Sequence, residues 1–186
     1  MADMTRVLAG RMARARGEAW ELALEGEHAA YLRQGLADVV KLPTPALVLG
    51  PTRRDARGRT TFPACWAAKA SADFEGVIRG GRAVRVEVKR RQGNRIGIAE
   101  VQPQQLAALE RCHRLGGLAL LVVRLEAGGD QGGTWAVQAS ALWTRPDGPR
   151  TWTARQLDEL GVRVLGADWL RAARAAGWCD LQERTP

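Results

Sequence analysis

The stretch "SADFEGVIRGGRAVRVEVKRR", residues 71–91, decides how this chain is read. From Ala83 onward it alternates, with Val84, Val86 and Val88 on one face and Arg85, Glu87 and Lys89 on the other. Period-two alternation predicts a half-buried strand with its valines toward the core. Gly80-Gly81 marks a hairpin turn before it. The loop length then sets which side chains share a face. A two-residue loop at the glycines pairs Asp73 with Val88 and leaves Glu87 on the opposite side. A three-residue loop, Arg79 to Gly81, pairs Asp73 with Glu87, Glu75 with Arg85 and Val77 with Ala83. One residue of slip reverses every side chain. The three-residue loop is the expected one, because it joins Val77 to Ala83 and supplies a glycine for the left-handed position.

In that register Asp73, Glu87 and Lys89 converge. Two carboxylates so placed repel unless a cation lies between them. Oxygen ligands without a nearby histidine or cysteine favour Mg²⁺ or Mn²⁺ over zinc. An amine beside such a site can orient water or stabilise charge on a phosphorane-like transition state. The alternative is a solvated salt-bridging pair on an exposed edge, which contributes little. These three residues alone leave both readings open. Glu75 reads as an ordinary hairpin charge.

The rest of the chain narrows the choice. Its 186 residues are most simply one domain spanning 1–186, with 46% apolar and 26% charged residues. Mean hydropathy is -0.25. No apolar run is long enough for a membrane span, and the N-terminus has no secretory pattern. The three cysteines, Cys65, Cys112 and Cys179, are far apart, so reduced thiols and a cytoplasmic setting are expected. His28 and His113 fall in helix-like stretches and read as packing or surface residues. The net charge is +8. Among 28 basic side chains only Lys41, Lys69 and Lys89 are lysine. So many guanidinium forks suit phosphate oxygens, and nucleic acid is the expected partner.

Along the chain, residues 12–34 read as a helix carrying Trp20, Leu24 and Tyr31, stopped at Gly35. Two strand-like pieces flank Pro43 and Pro45, which cannot sit in a central ladder. Residues 51–70, "PTRRDARGRTTFPACWAAKA", read as an irregular basic excursion. Gln104 to Leu115 forms a short helix, and "LALLVVRL" is a strand buried on both faces. "TWAVQA" pairs with it. A helix capped by Thr153 and a last helix over 167–176 close the chain. Five of the seven tryptophans follow Gly133 and read as core or dimer contacts. Mixed helices and strands around one buried strand mean α/β, or α+β, with a mixed central sheet.

Asp73, a hairpin and then Glu87-Val88-Lys89 resemble the PD-(D/E)XK nuclease motif, with Ala72 where its proline often stands. Upstream, Gly17, Glu21, Tyr31, Gly35 and the run Lys41 to Pro45 resemble the N-terminal block of RecU-type Holliday junction resolvases. Gln104-Gln105 before Leu106 stands where that family opens a helix with His-Gln, and "GGLALLVVRL" resembles the strand that follows. The resemblance runs from about Arg16 to Leu125, fading toward "SALW".

It implies a PD-(D/E)XK restriction-endonuclease-like core, a mixed sheet flanked by helices with a protruding stalk. It also implies a homodimer that nicks a four-way DNA junction symmetrically with Mg²⁺, for which Mn²⁺ substitutes. Asp73 and Glu87 would bind metal, Gln105 and Ser71 would support it, Lys89 would assist attack, and Glu21 would add an outer carboxylate. The excursion at 51–70 falls where the family projects its stalk. There Arg53, Arg54, Arg57 and Arg59 would meet phosphates while Phe62 and Trp66 pack or stack; Lys69, Arg90 and Arg91 complete the expected DNA-binding set. Two departures stand out: Gln104 replaces the family's histidine, and the spacing from Asp73 to Glu87 is one residue longer. Two other readings compete, a PD-(D/E)XK nuclease of repair or restriction type and a non-catalytic junction-binding protein. Carboxylates facing phosphate speak against the second.

Overall fold

The computed structural model describes residues 2–67, 71–143 and 151–181. Helix α1 (Ala2–Arg33) leads into β1 (Ala37–Lys41), then the short strands β2 (Ala46–Val48), β3 (Arg53–Arg54), β4 (Thr60–Thr61) and β5 (Ala64–Trp66). The hairpin β6 (Phe74–Ile78) and β7 (Arg82–Gln92) follows, with β8 (Arg95–Gly97) and α2 (Pro103–Arg114). Next come β9 (Leu118–Glu126), β10 (Gly133–Gln138) and α3 (Ser140–Trp143). The chain then runs through β11 (Thr151–Thr153), α4 (Ala154–Leu160), β12 (Gly161–Arg163) and α5 (Trp169–Ala175). Thr153 caps α4, as its position predicts, and α1 begins well before residue 12.

One six-stranded sheet carries the fold, in the order β1-β6-β7-β9-β10-β12. Among the described residues only β7 and β9 pair in parallel, from Val84 opposite Leu118 to Gln92 opposite Glu126. Parallel neighbours need a crossover, and α2 supplies it. The other pairings are antiparallel, which makes the sheet mixed.

The β6–β7 ladder runs in the three-residue-loop register: Val77 faces Ala83 and Glu75 faces Arg85. Gly80 and Gly81 both turn with positive φ, 92° and 85°, a conformation that side chains with a Cβ resist. β6 starts at Phe74, opposite Val86, whereas β7 continues to Gln92. The far half of β7 therefore has an open edge on the β6 side.

Apolar side chains cover both faces of the sheet. On one, Trp20, Leu24 and Tyr31 of α1 and Trp169 of α5 pack on Val84, Val86 and Leu120. On the other, Leu109 of α2 and Leu157 of α4 pack on Leu121, Val123 and Trp135. This corrects the half-buried reading of the Glu87 face. The alternation reports the pleat correctly, but α2 lies over the polar side, and Glu87 is 0% exposed.

The basic excursion is ordered, not irregular. β2 pairs with β5, Ala46 opposite Trp66, and β3 pairs with β4, Arg53 opposite Thr61. The resulting two-stranded ribbon starts at Ala46, ahead of Pro51. Its tip is tied by Asp55, whose carboxylate accepts the backbone N–H of Arg57 at 2.8 Å and of Arg59 at 2.9 Å. Phe62 and Trp66 form no packed aromatic cluster; Trp66 is 75% exposed. Lys69 lies outside the described residues. Among the described residues no helix is long and apolar enough to cross a membrane.

Candidate active site

Asp73 sits where β6 begins. Its backbone carbonyl accepts the Leu42 N–H at 2.8 Å, which anchors it to the end of β1. Its Oδ2 accepts the Val88 N–H at 2.8 Å, capping the open edge of β7 where the strand partner ends. Glu87 stands next to that point on β7, with Oε1 accepting from Lys89 Nζ at 2.5 Å. The second carboxylate oxygen, Oε2, is buried and has no hydrogen-bond partner.

The sheet and α2 thus place a carboxyl in a dry setting beside another carboxyl. Burial, and next the Asp73 charge, push the Glu87 carboxyl up to about 7. Burial raises Asp73 as well, against the pull of the Val88 N–H, and the Glu21 charge adds to the rise. A surface salt bridge would show none of this. The alternative of a solvated edge pair is excluded by the burial of Glu87.

Lys89 reaches a second acceptor, Gln105 Oε1, at 3.2 Å. Gln105 is 8% exposed at the start of α2, and the same oxygen accepts the Gln102 N–H at 2.9 Å. Gln105 therefore meets the site through Lys89. Ser71 is half-buried two residues before Asp73 and makes no hydrogen bond to either carboxylate. Glu21 faces Asp73 across a cleft of about 230 Å³ that Lys41, Lys89 and Arg90 also line. Its carboxylate is held by Lys41 Nζ at 2.6 Å, and Glu25 lies 3.4 Å from the same amine. In the sequence Lys41 reads only as part of a motif; its contact with Glu21 links a strand to a helix and leaves no local pattern.

The donor set fits a hard divalent cation. One buried and one half-buried carboxyl, both with raised pKa values, and one orphaned oxygen are what a cation would satisfy. Among the described residues no group of three or more His, Cys, Asp or Glu forms a metal cage.

The expected DNA contacts divide. Arg53, Arg54 and Arg57 are exposed on the ribbon. Arg59 is also exposed, but its Nε donates to Asp55 at 2.7 Å. Arg90 spends its fork on Glu126, at 2.7 and 2.5 Å, at the wall of the cleft. Arg91 is exposed, with Glu100 3.8 Å away. Of the histidines, His28 is buried, its Nε2 accepting from Trp169 Nε1 at 2.9 Å, which agrees with a packing role.

A mixed sheet whose central hairpin brings an acid, a buried glutamate and a lysine to one strand edge is the arrangement expected from the three-residue hairpin loop. The RecU family, described as Recombination protein U, matches residues 15–145, and this chain belongs to that family. The match covers the block upstream of the site, the hairpin and the strands through β10. Among solved structures the chain is similar to Hjc, a Holliday junction resolvase from the archaeal hyperthermophile Archaeoglobus fulgidus, with 11% identity and a TM-score of 0.43 over 75% of this chain and 93% of that one. No curated protein matches the chain.

Proposed function

We propose that this chain is a divalent-metal-dependent endodeoxyribonuclease that resolves four-way DNA junctions by paired symmetric nicks, acting as a homodimer in the cytoplasm. Membership of the RecU family supports the substrate. The observation that carries the chemistry is the half-buried Asp73 beside the buried Glu87 with its orphaned oxygen, adjoining Lys89 at an open strand edge.

Asp73 and Glu87 would hold Mg²⁺, with Mn²⁺ as a substitute. When bound, the cation supplies neutralising charge and Lewis acidity at the phosphodiester. The chain's own part follows from its geometry. The Lys89 ammonium, steadied by Glu87 and Gln105, stands ready to donate to a phosphate oxygen as negative charge grows there. Water oxygen bonds to phosphorus, the bond to the 3′ oxygen breaks, and that oxygen takes a proton, leaving 5′-phosphate and 3′-hydroxyl ends. The cleft walled by Glu21 and Lys41 admits the strand. The exposed ribbon presents Arg53, Arg54 and Arg57 to phosphates beyond the cut.

The deciding experiment compares four-way junction, duplex and single-stranded DNA, with and without Mg²⁺, beside light scattering at micromolar concentration. Metal-dependent, junction-selective nicking by a dimer is expected. Equal cutting of all three substrates would replace junction resolution with another nuclease specificity.

A further inference from the structure

We propose that Gln105 is a positioning residue for Lys89, set by the cap of α2. The inference rests on the nuclease reading above and concerns how its amine is aimed. A single buried oxygen, Gln105 Oε1, accepts both the Gln102 N–H at 2.9 Å and Lys89 Nζ at 3.2 Å. The first bond is half of a capping box, so the side chain cannot leave without uncapping the helix. The second bond passes that rigidity to the amine.

The need for it lies in the company Lys89 keeps. Its Nζ is already 2.5 Å from Glu87 Oε1, and the side chain is 18% exposed. A lysine is a point charge on a flexible stem of four carbons. Beside the buried Glu87 and the half-buried Asp73 it would settle between the two carboxyls and occupy the place a cation needs. Gln105 pulls from the side of α2. It shares the ammonium between itself and Glu87, away from Asp73, and commits two of its three N–H donors. The third is left for a phosphate oxygen. A neutral amide suits the task, since it attracts the ammonium less strongly than a carboxylate and does not remove it from Glu87.

Two substitutions separate this role from capping alone. Gln105→Glu keeps an oxygen that can accept the Gln102 N–H, so the cap of α2 is retained. The added charge should draw Lys89 toward α2, and kcat should fall roughly tenfold to a hundredfold with KM nearly unchanged. Gln105→Leu removes both bonds. Melting temperature should fall, kcat should fall, and Mn²⁺ should bind more weakly by calorimetry on DNA-free protein, as the released amine competes for Asp73 and Glu87. Wild-type kcat in Gln105→Glu would overturn the proposal and leave Gln105 as a helix cap, and so would unchanged Mn²⁺ affinity in a folded Gln105→Leu. Nicking by the unaltered protein tests the nuclease reading separately, and the Mn²⁺ titration reads the lysine's release without turnover.

Discussion

Asp73 Oδ2 accepts the backbone N–H of Val88 at 2.8 Å, which locks the end of one hairpin strand beside the carboxylate of Glu87 on the other. That bond exists only in the register with Arg79, Gly80 and Gly81 as the loop. A one-residue slip would turn Glu87 to the α1 face and dissolve the acid pair. The chemistry of the chain and the length of one turn are therefore the same fact.

Asp73→Asn and Glu87→Gln should each lower Mg²⁺-dependent nicking by roughly a thousandfold or more, the scale of several kcal/mol of lost charge stabilisation. Junction binding should persist or tighten, since a negative charge facing DNA has gone. Mg²⁺ should raise the melting temperature of the unaltered protein and not of Glu87→Gln. Near-normal nicking by both variants would remove the site assignment.

Lys89→Ala should depress kcat with little change in junction affinity, because the ammonium acts where charge develops. Lys89→Arg should rescue poorly. A planar fork cannot sit between Glu87 and Gln105 as a compact ammonium does. Parallel loss of affinity and rate would recast Lys89 as a phosphate anchor.

Alanine at Arg53, Arg54 and Arg57 together should reduce the preference for junction over duplex as well as total affinity. All three side chains are exposed on the ribbon. Binding measured across salt should also show a slope reduced by roughly one unit for each phosphate that is no longer neutralised. An unchanged junction-to-duplex ratio would mean the ribbon lies outside the crossover.

Gly76→Ala tests the outer edge of the sheet. A Cβ at Gly76 would fall 1.9 Å from the Asp38 carbonyl oxygen on β1, a backbone atom with no freedom to retreat. Overpacking of this kind costs about 1–3 kcal/mol, or more where the backbone itself is struck. Urea unfolding should show that loss; an unchanged midpoint would mean β1 shifts without cost.

His28 gives the fold a pH dependence of known sign. Burial lowers its pKa to about 4, and neutral imidazole accepts the Trp169 indole N–H. The contribution is complete above the unfolded value of about 6.5 and is lost as pH falls toward 4, about 3 kcal/mol in all. His28→Gln keeps an acceptor without a titrating ring. Urea midpoints of the two proteins between pH 7 and 4.5 should diverge, with the slope of the unaltered protein steeper. Parallel curves would show that His28 does not titrate there.

The sequence by itself determined the local elements and the chemistry that could be assembled from them. Val84, Val86 and Val88 announce the strand, Gly80-Gly81 the turn, Thr153 a cap and "LALLVVRL" a strand covered on both sides; the structure agrees with each. These signals are short-range: a pleat of two, a helical turn, a glycine that tolerates positive φ. Tertiary structure alone decided that Glu87 is dry, because α2, a later element of the chain, folds over its face. It alone joined Glu21 to Lys41, Arg90 to Glu126 and Lys89 to Gln105. It also turned the basic excursion into a paired ribbon whose aromatic side chains stay in water. Whether a carboxyl titrates near 4 or near 7 depends on what covers it and what charge stands beside it. Those neighbours come from separate elements, and only the path of the chain through space brings them together.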